Sequence, residues 1–245
     1  SVASRGLGDV YKRQIQVVIL SLFTNLLAQK KGISESKKYL EDLKKVPSII
    51  ENIDKNTALV LLANPNLPIE SMLPIRDIKM IANRCRTFDS VLVIDEAYHL
   101  FGADSAIGIL REYDNLVVLR SFSKAYGLAG IRLGYMVSQE TNIEYLSKTR
   151  SLVEASGTSM AIANYLLENP ELVVSYANQV AEGARFLQDS LTTFGLRWHG
   201  GHVTNGILVF LPDNLAVTEC VQYLRAVSYT HLRAHETLRY LVCRL

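Results

Sequence analysis

Four short apolar runs alternate with amphipathic segments of helical length, and this alternation limits the folds open to the chain. The runs are Ala58 to Ala63, Ser90 to Asp95, Leu116 to Arg120 and Leu133 to Val137. Between the first two runs, residues Ile75 to Arg86 carry apolar side chains at helical spacing. Such a sequence builds a mostly parallel sheet covered by helices on both faces. We therefore predict an α/β fold, a three-layer sandwich.

The second half of the sequence has a different character. Two long helical patterns, roughly Met160 to Glu168 and Pro170 to Phe194, lead to an extended segment, Ile207 to Leu211. Pro170 suits the first turn of a helix, and Gly195 stands where a left-handed C-cap is expected. This order predicts a connecting helix followed by an incomplete, smaller α+β domain.

The two ends of the chain differ from the sequence between them. Residues 1–14 (SVASRGLGDVYKRQ) and 227–245 (VSYTHLRAHETLRYLVCRL) follow neither a strand nor a helix pattern and resemble translated adapter or vector sequence. The alternative is a basic terminal arm and a C-terminal amphipathic helix. We predict a foreign-looking arm over 1–14, a partial large domain over 15–155, a partial small domain over 156–226 and a foreign-looking tail over 227–245.

Charge and cysteine content indicate the class of partner. The chain has 26 Lys and Arg against 24 Asp and Glu, so no imbalance points to nucleic acid or to an anionic membrane surface. Its three cysteines, Cys85, Cys220 and Cys243, form no CxxC pair, which fits a reducing cytoplasm. The apolar run Ile15 to Leu27 is interrupted by polar residues and is too short to span a bilayer. A small-molecule substrate is the expectation.

The histidines do not indicate a metal site. His231 and His235 stand four residues apart, but no third ligand lies near them in the sequence, so we predict no metal. Trp198, His199 and His202 lie in a glycine-flanked stretch, RWHGGHV, which we predict to be a solvated loop.

Polar residues follow the second apolar run. The sequence VLVIDEAYHL delivers Asp95 and Tyr98 at the carboxyl edge of a strand. Ligands of open α/β sheets bind beyond this edge, so both residues are candidates for a site. A carboxylate there is costly to bury unless it meets a cationic partner. The alternative is an ordinary strand-end Asp that caps the next helix.

The third run ends in the segment LVVLRSFSKAYGLAGIRLGY. Ser121, Ser123 and Lys124 follow the strand directly, and Arg132 lies among the glycines beyond them. Hydroxyls and a guanidinium form the charge-assisted hydrogen bonds that a phosphate monoester needs. A lysine amine in such a place is suited to Schiff-base formation. The SxSK pattern, its spacing to Arg132 and DEAY one strand upstream together favour a binding site over a solvated Lys and Arg.

The combination DEAY…SFSKAYGLAGIRLGY resembles the lysine motif of fold-type I pyridoxal-phosphate enzymes. It is most similar to that of class I/II aminotransferases of the histidinol-phosphate aminotransferase kind, and the similarity runs from about Ala58 to Leu211. The resemblance implies that residues 15–155 are part of a cofactor-binding large domain and that the cofactor is pyridoxal 5'-phosphate.

The resemblance also implies a role for each candidate residue. Asp95 would pair with the protonated pyridine nitrogen of the cofactor, and Tyr98 would hydrogen-bond its phenolic oxygen. Lys124 would bind the cofactor covalently and, once released, carry a proton between the substrate carbon and the cofactor. The phosphate would be held by Ser121, Ser123 and Arg132.

The chain departs from the family pattern after the first run. It reads NPNLPIE where relatives read NPNNPTG, so Leu67 stands at the position of the Asn that usually contacts the ring oxygen. Asn66 is our candidate to replace it, Asn64 is an alternative, and a plain strand-to-turn segment is another. Asn205 is a weaker candidate on the substrate side. No counterpart is seen for the family's upstream phosphate loop, its stacking aromatic or the Arg that grips the substrate carboxylate.

The resemblance implies an aminotransferase that moves an amino group between an amino acid or amino-alcohol phosphate and a keto acid. One alternative keeps the cofactor but breaks another bond, as in a decarboxylase, a carbon–sulfur lyase or an acyl-condensing synthase. Another is a non-catalytic α/β module in which Asp95 and Lys124 form a structural ion pair. The expected partners are a small-molecule amino donor and keto acceptor, with a homodimer of the full-length parent in the cytoplasm, no nucleic acid and no membrane.

Overall fold

The computed structural model describes residues 46–67, 69–149, 155–211, 219–224, 233–234 and 240–244. Its helices are α1 (Val46–Glu51), α2 (Ile75–Thr87), α3 (Glu140–Ser147), α4 (Gly157–Glu168) and α5 (Pro170–Thr193), and residues 219–224 are also helical. Its strands are β1 (Leu59–Ala63), β2 (Val91–Asp95), β3 (Leu116–Ser121), β4 (Gly134–Val137), β5 (Arg197–Gly200), β6 (Gly206–Phe210), β7 (Arg233–Ala234) and β8 (Tyr240–Arg244). The arm predicted over 1–14 and the apolar run after it lie outside these residues.

The first sheet has the strand order β1-β2-β3-β4. Strands β1, β2 and β3 are parallel, and β4 runs antiparallel to β3. In the register of the sheet, Ala63 is aligned with Asp95, and Asp95 with Leu119. The four apolar runs of the sequence therefore form the four strands, and the predicted mostly parallel sheet is confirmed.

Helix α2 covers one face of this sheet with a single apolar stripe. Ile78, Ile81, Ala82 and Cys85 are fully buried at the i, i+3, i+4, i+7 positions of that stripe. They pack against buried residues of β2 and β3 in one core cluster. Burying each isoleucine side chain stabilises the fold by about 1.5–3 kcal/mol. Burial also raises the pKa of the Cys85 thiol to about 12.

Helices α4 and α5 begin and end with the expected signals. The Ser156 hydroxyl caps α4 by accepting from the Ser159 N–H at 3.1 Å. Pro170 opens α5, and Gly195 follows it with φ of +68°, so the predicted start and left-handed C-cap are confirmed. Of the helices in the described part of the chain, none is both long and apolar enough to cross a membrane.

A second, antiparallel sheet follows α5 in the order β5-β6-β8-β7. It packs on α5 through a core of Ala184, Leu191, Ile207, Val209 and Val221. The predicted solvated loop is wrong for its first part, because Trp198 and His199 lie within β5. The reason is that the buried strand β6 pairs with this segment up to Gly200, so the turn of the hairpin begins only at Gly201. His202 lies in that turn.

The closing segment 227–245 contains paired backbone where the sequence indicated neither a strand nor a helix. Tyr240–Arg244 forms β8 against Gly206–Phe210, and the short β7, Arg233–Ala234, pairs with β8. The alternative of a C-terminal helix is wrong for these two described stretches. The boundaries of the domains and the origin of the two ends stay predictions.

Candidate functional site

The register of the first sheet brings the ends of its parallel strands to one edge. The Asn64 N–H, directly after β1, donates to the Asp95 carbonyl at 2.9 Å. The Glu96 N–H, directly after β2, donates to the Leu119 carbonyl at 2.8 Å. The polar residues that follow β1, β2 and β3 therefore share the carboxyl edge of the sheet, where ligands bind in folds of this class.

Lys124 and Tyr98 come together at this edge. The Lys124 Nζ atom lies 5.1 Å from the centroid of the Tyr98 ring, and both residues are half-buried. A lysine ammonium over an aromatic face is attracted to the electron density of the ring. Lys124 itself lies in a tight turn, which the Gly127 N–H closes by donating to its carbonyl at 2.8 Å. The structure thus places the amine beside the phenol that follows the neighbouring strand.

Asp95 is half-buried at the end of β2. Its Oδ1 atom accepts a hydrogen bond from the Ala97 N–H at 3.0 Å, a local turn typical of Asp and Asn. A cationic partner was expected for a buried carboxylate at this place. In the described part of the chain, Arg120 pairs instead with the next residue, Glu96. Successive side chains of a strand point to opposite faces of the sheet, so Asp95 and Glu96 have different neighbours.

Glu96 is the centre of a buried polar network that the sequence did not indicate. Its side chain is fully buried, and its Oε2 atom accepts from Arg120 Nη2 at 3.0 Å and Nε at 3.2 Å. The Ser105 hydroxyl donates to the same oxygen at 2.8 Å, and the Ala106 N–H donates to Oε1. Since a buried carboxylate is stable only when its oxygens are bonded, this network fixes the ends of β2 and β3 relative to each other.

His99 extends the network. Its Nδ1 atom lies 3.0 Å from the Glu96 carbonyl, and the residue is buried. Burial lowers the pKa of His99, and the charge of Arg120 lowers it further. The imidazole is therefore neutral at neutral pH, and its ring is fixed by the Nδ1 contact. A His that follows DEAY by one position was the available signal for this residue.

The predicted phosphate-binding residues lie around the start of β4. The Ser123 N–H donates to the Ser121 hydroxyl at 3.0 Å, and Ser121 is paired with Gly134 across the sheet. Arg132, two residues before Gly134, is exposed and has a left-handed backbone with φ of +53°. Its Nη1 atom donates to the Ala129 carbonyl at 3.4 Å. Ser121 thus ends β3, Ser123 follows that strand, and Arg132 precedes its antiparallel neighbour β4.

Three aromatic rings support the turn that carries Lys124. The Phe122 ring lies 4.6 Å from that of Tyr126 and 5.4 Å from that of Tyr135, measured between centroids. Burial raises the pKa of the Tyr126 phenol, and its hydrogen bond with Tyr135 raises it further. The phenol therefore stays protonated. The three packed rings support the turn that carries Lys124.

The two asparagines after β1 differ in their contacts. The buried Asn64 amide accepts from the Leu73 N–H at 2.7 Å and donates to the Leu73 carbonyl at 3.1 Å, so its side chain closes the loop. The Asn66 N–H donates to the Ser71 carbonyl at 2.9 Å, and Asn66 is half-buried. Asn66 therefore remains the candidate of the two for contact with a ligand.

No group of three or more metal-binding side chains occurs among the residues that the structure describes. His231 and His235 lie outside them. Asn205 lies inside them, in the segment directly before β6. The chemistry that the described edge offers is that of an amine, a carboxylate, hydroxyls and a guanidinium.

Comparison with known proteins places these features in one family. Residues 33–236 match the model of aminotransferase class I and II. The chain is 35% identical over 168 residues to a histidinol-phosphate aminotransferase of Carboxydothermus hydrogenoformans, covering 69% of this chain and 46% of the relative. It is 30% identical over 194 residues to one of Pasteurella multocida, covering 78% and 52% respectively. The chain thus spans about half the length of these relatives.

A solved structure shows the same fold. The crystal structure of histidinol-phosphate aminotransferase from Sinorhizobium meliloti in complex with pyridoxal-5'-phosphate superposes with a TM-score of 0.66 at 25% identity. The superposition covers 84% of this chain and 56% of that one.

Proposed function

The chain belongs to the aminotransferase class I and II family, and from this premise we propose that its protein is a pyridoxal-phosphate-dependent aminotransferase similar to histidinol-phosphate aminotransferase. The observation that carries the proposal is the position of the Lys124 amine, 5.1 Å from the Tyr98 ring centroid at the edge where Asp95 ends β2. The name of the solved relative with bound pyridoxal-5'-phosphate supports the choice of cofactor.

The residues at this edge fit the cofactor by their chemistry. Pyridoxal phosphate combines an aldehyde, a ring nitrogen, a phenolic oxygen and a phosphate. Lys124 offers an amine for the aldehyde, Asp95 a carboxylate for the protonated nitrogen, and Tyr98 a hydroxyl for the oxygen, with Asn66 as a second group for that oxygen. For the phosphate, the chain offers hydroxyls and a guanidinium from Ser121, Ser123 and Arg132.

When bound, pyridoxal phosphate supplies an electron sink that stabilises negative charge on the substrate carbon next to the amino group. The chain's own part is to hold and to move protons. The Asp95 carboxylate would keep a proton on the ring nitrogen and so maintain its positive charge. Once released, the Lys124 amine would take a proton from the substrate carbon and pass it to the cofactor, since a free amine serves as general base and then as acid.

Substrate, assembly and location are part of the same proposal. We propose an amino acid or amino-alcohol phosphate as donor and a keto acid as acceptor, in keeping with the names of the relatives. We also propose a homodimer in the cytoplasm. Exposed apolar side chains on α4 and α5 are candidates for burial between subunits, among them Tyr165 (58% exposed), Leu172 (46%) and Val174 (52%).

The alternative of a structural ion pair has less support. In the described part of the chain, Lys124 and Asp95 do not pair: Lys124 lies over Tyr98, and Asp95 accepts from the Ala97 N–H. The names of the most similar relatives favour amino transfer over the lyase and decarboxylase alternatives.

Cofactor uptake tests the proposal. Mixed with pyridoxal phosphate, the full-length protein should show the visible absorbance of a covalently bound cofactor, and Lys124→Ala should abolish that band because the attaching amine is gone. Lys148→Ala is the matched control: Lys148 also lies over a tyrosine ring, 4.5 Å from the Tyr145 centroid, but on the exposed helix end. This control should keep the band. An unchanged band in Lys124→Ala would exclude Lys124 as the attachment point.

A further inference from the structure

Glu70 carries a buried carboxylate in the loop after β1. The residue is 7% exposed, and its Oε2 atom accepts from the Val203 N–H at 3.0 Å and from the Thr204 hydroxyl at 2.6 Å. The N–H of Gly201 donates to Oε2 at 3.1 Å, and that of His202 lies 3.1 Å from both oxygens. Three backbone amides and one hydroxyl thus surround the charge, which is the arrangement that makes burial of a carboxylate favourable.

The turn that receives the carboxylate is shaped by two glycines and by a contact with α5. Gly200 and Gly201 have φ of +96° and +80°, a conformation that side chains rarely adopt. An added Cβ would lie 2.8 Å from the Gly206 carbonyl at the first position and 2.8 Å from Ile207 Cγ1 at the second. The buried Gln188 of α5 donates to the Gly200 carbonyl at 2.9 Å. The glycines and Gln188 thus constrain the backbone of the turn, and its amides donate to the Glu70 carboxylate as an anion-binding group.

The same turn approaches the segments that follow two strands of the first sheet. Glu70 belongs to the loop after β1, and its own carbonyl lies 3.0 Å from His199 Nε2. After β2, a Cβ at Gly102 would lie 3.9 Å from the His202 carbonyl oxygen. After β3, a Cβ at Gly127 would lie 3.9 Å from the ring of Tyr176 in α5. The second sheet and α5 thus meet the carboxyl edge of the first sheet at three places.

We propose that Glu70 is a positioning residue: its carboxylate fixes the turn 201–204, and with it the second sheet, over the edge that carries Asp95, Tyr98 and Lys124. Of the contacts between the loop and the second sheet, this one combines a full charge with several donors. That the covered edge holds pyridoxal phosphate rests on the function proposed above.

Amide hydrogen exchange of the chain without cofactor tests the contact itself. In Glu70→Gln, the amides of Gly201, His202 and Val203 should exchange about tenfold faster or more, because a hydrogen bond to a charged group is replaced by one to a neutral amide. Glu182→Gln, which changes an exposed acid on α5, should leave those rates unchanged. Thr204→Val removes a single hydrogen-bond donor and replaces Glu70→Gln as the test if that variant does not fold. It should accelerate the exchange of the same amides to a smaller extent.

Fluorescence of bound pyridoxal phosphate tests the positioning. In Glu70→Gln, acrylamide should quench the fluorescence of the bound cofactor several-fold more efficiently. The dissociation constant of the cofactor should change little, because Glu70 contacts the turn 201–204 and not the cofactor. A merely structural residue would lower the unfolding temperature and leave the quenching of the folded fraction unchanged.

Three outcomes decide between the claims. Unchanged exchange of the turn in both Glu70→Gln and Thr204→Val overturns the contact. Faster exchange with equal quenching overturns the positioning role. If the unaltered full-length protein takes up no pyridoxal phosphate, the proposed function fails, and the positioning role over a cofactor fails with it, while the exchange rates still decide whether Glu70 holds the turn.

Discussion

Asp95 and Glu96 are neighbours in the sequence with opposite surroundings. Asp95 is half-buried at the candidate site, whereas Glu96 is fully buried and paired with Arg120, whose side chain is 16% exposed. The buried pair leaves Asp95 available, because the cation near the strand end is already neutralised by Glu96. Separating the two roles is possible only because consecutive residues of a strand point to opposite faces.

Removing one partner of the buried pair should be costly. Arg120→Met leaves the Glu96 carboxylate buried with only the donors of Ser105 and Ala106, so we expect the free energy of unfolding to fall by about 3–5 kcal/mol. Urea denaturation followed by circular dichroism measures the loss.

An exposed ion pair provides the control. Lys79 and Glu112 lie 2.8 Å apart, with side chains 37% and 53% exposed. Because water screens such pairs, Lys79→Met should leave the free energy of unfolding nearly unchanged. Equal losses for the two variants would contradict the structural role of the buried pair.

His99 should make stability depend on pH. Its pKa in the folded chain is below the ordinary value of 6.5, so the unfolded chain takes up the proton first as the pH falls. The free energy of unfolding should therefore decrease as the pH falls below about 6.5, until the pKa of the folded state is passed. His99→Gln lacks this proton, so its stability should fall less steeply between about pH 7 and pH 5.5. The other titrating groups are shared by the unaltered chain and His99→Gln, so their effects cancel in the comparison. Parallel profiles of unfolding free energy against pH would refute the lowered pKa of His99.

At the scale of elements, the pairing of β3 with β4 sets the shape of the candidate phosphate site. Gly134 faces Ser121 across this pairing, and an added Cβ would lie 2.8 Å from the Arg120 carbonyl. The backbones of β3 and β4 therefore approach so closely at Gly134 that a residue with a Cβ atom would not fit without a shift. Arg132 lies in the segment that joins the two strands, two residues before Gly134.

Replacing Gly134 should separate the strands. Gly134→Ala forces backbone atoms apart, so we expect a loss of about 1–3 kcal/mol in the free energy of unfolding and weaker binding of pyridoxal phosphate. Gly183→Ala is the matched control, because Gly183 lies within α5 and an added Cβ would meet nothing within 4 Å. This variant should gain up to about 1 kcal/mol, since Ala is a better helix former than Gly. Thermal unfolding and cofactor titration compare the two, and a loss in both variants would contradict the close approach.

Elements whose signals are local could be predicted from the sequence. The apolar runs gave β1 to β4, and the stripe of α2, the Pro170 start and the Gly195 cap followed from spacing and residue type. The segment around Trp198 was missed because its strand depends on pairing with β6, which no local pattern reports. The strands near the C-terminus depend on the same sheet and were missed for the same reason.

Over the whole molecule, contacts between distant residues limited what the sequence could show of the site. The motif around Lys124 indicated the residues that share the carboxyl edge, since the order of strands in an α/β sheet predicts where their ends meet. The Glu70 contact joins residues 131 to 134 positions apart and depends on amides rather than on side-chain types, so no motif could reveal it. The individual roles of the candidate residues stay predictions for the variants above.

The burial of two cysteines gives the chain an internal chemical reporter. Cys85 lies in the core under the first sheet, and Cys220 is half-buried beside the core of the second. Because only a thiolate reacts with alkylating reagents, and burial raises the pKa of both thiols, the fully buried Cys85 is modified mainly when its core opens, whereas the half-buried Cys220 reacts more readily. Mass mapping of alkylated peptides would therefore time the opening of the core under the first sheet, with Cys220 as an internal reference.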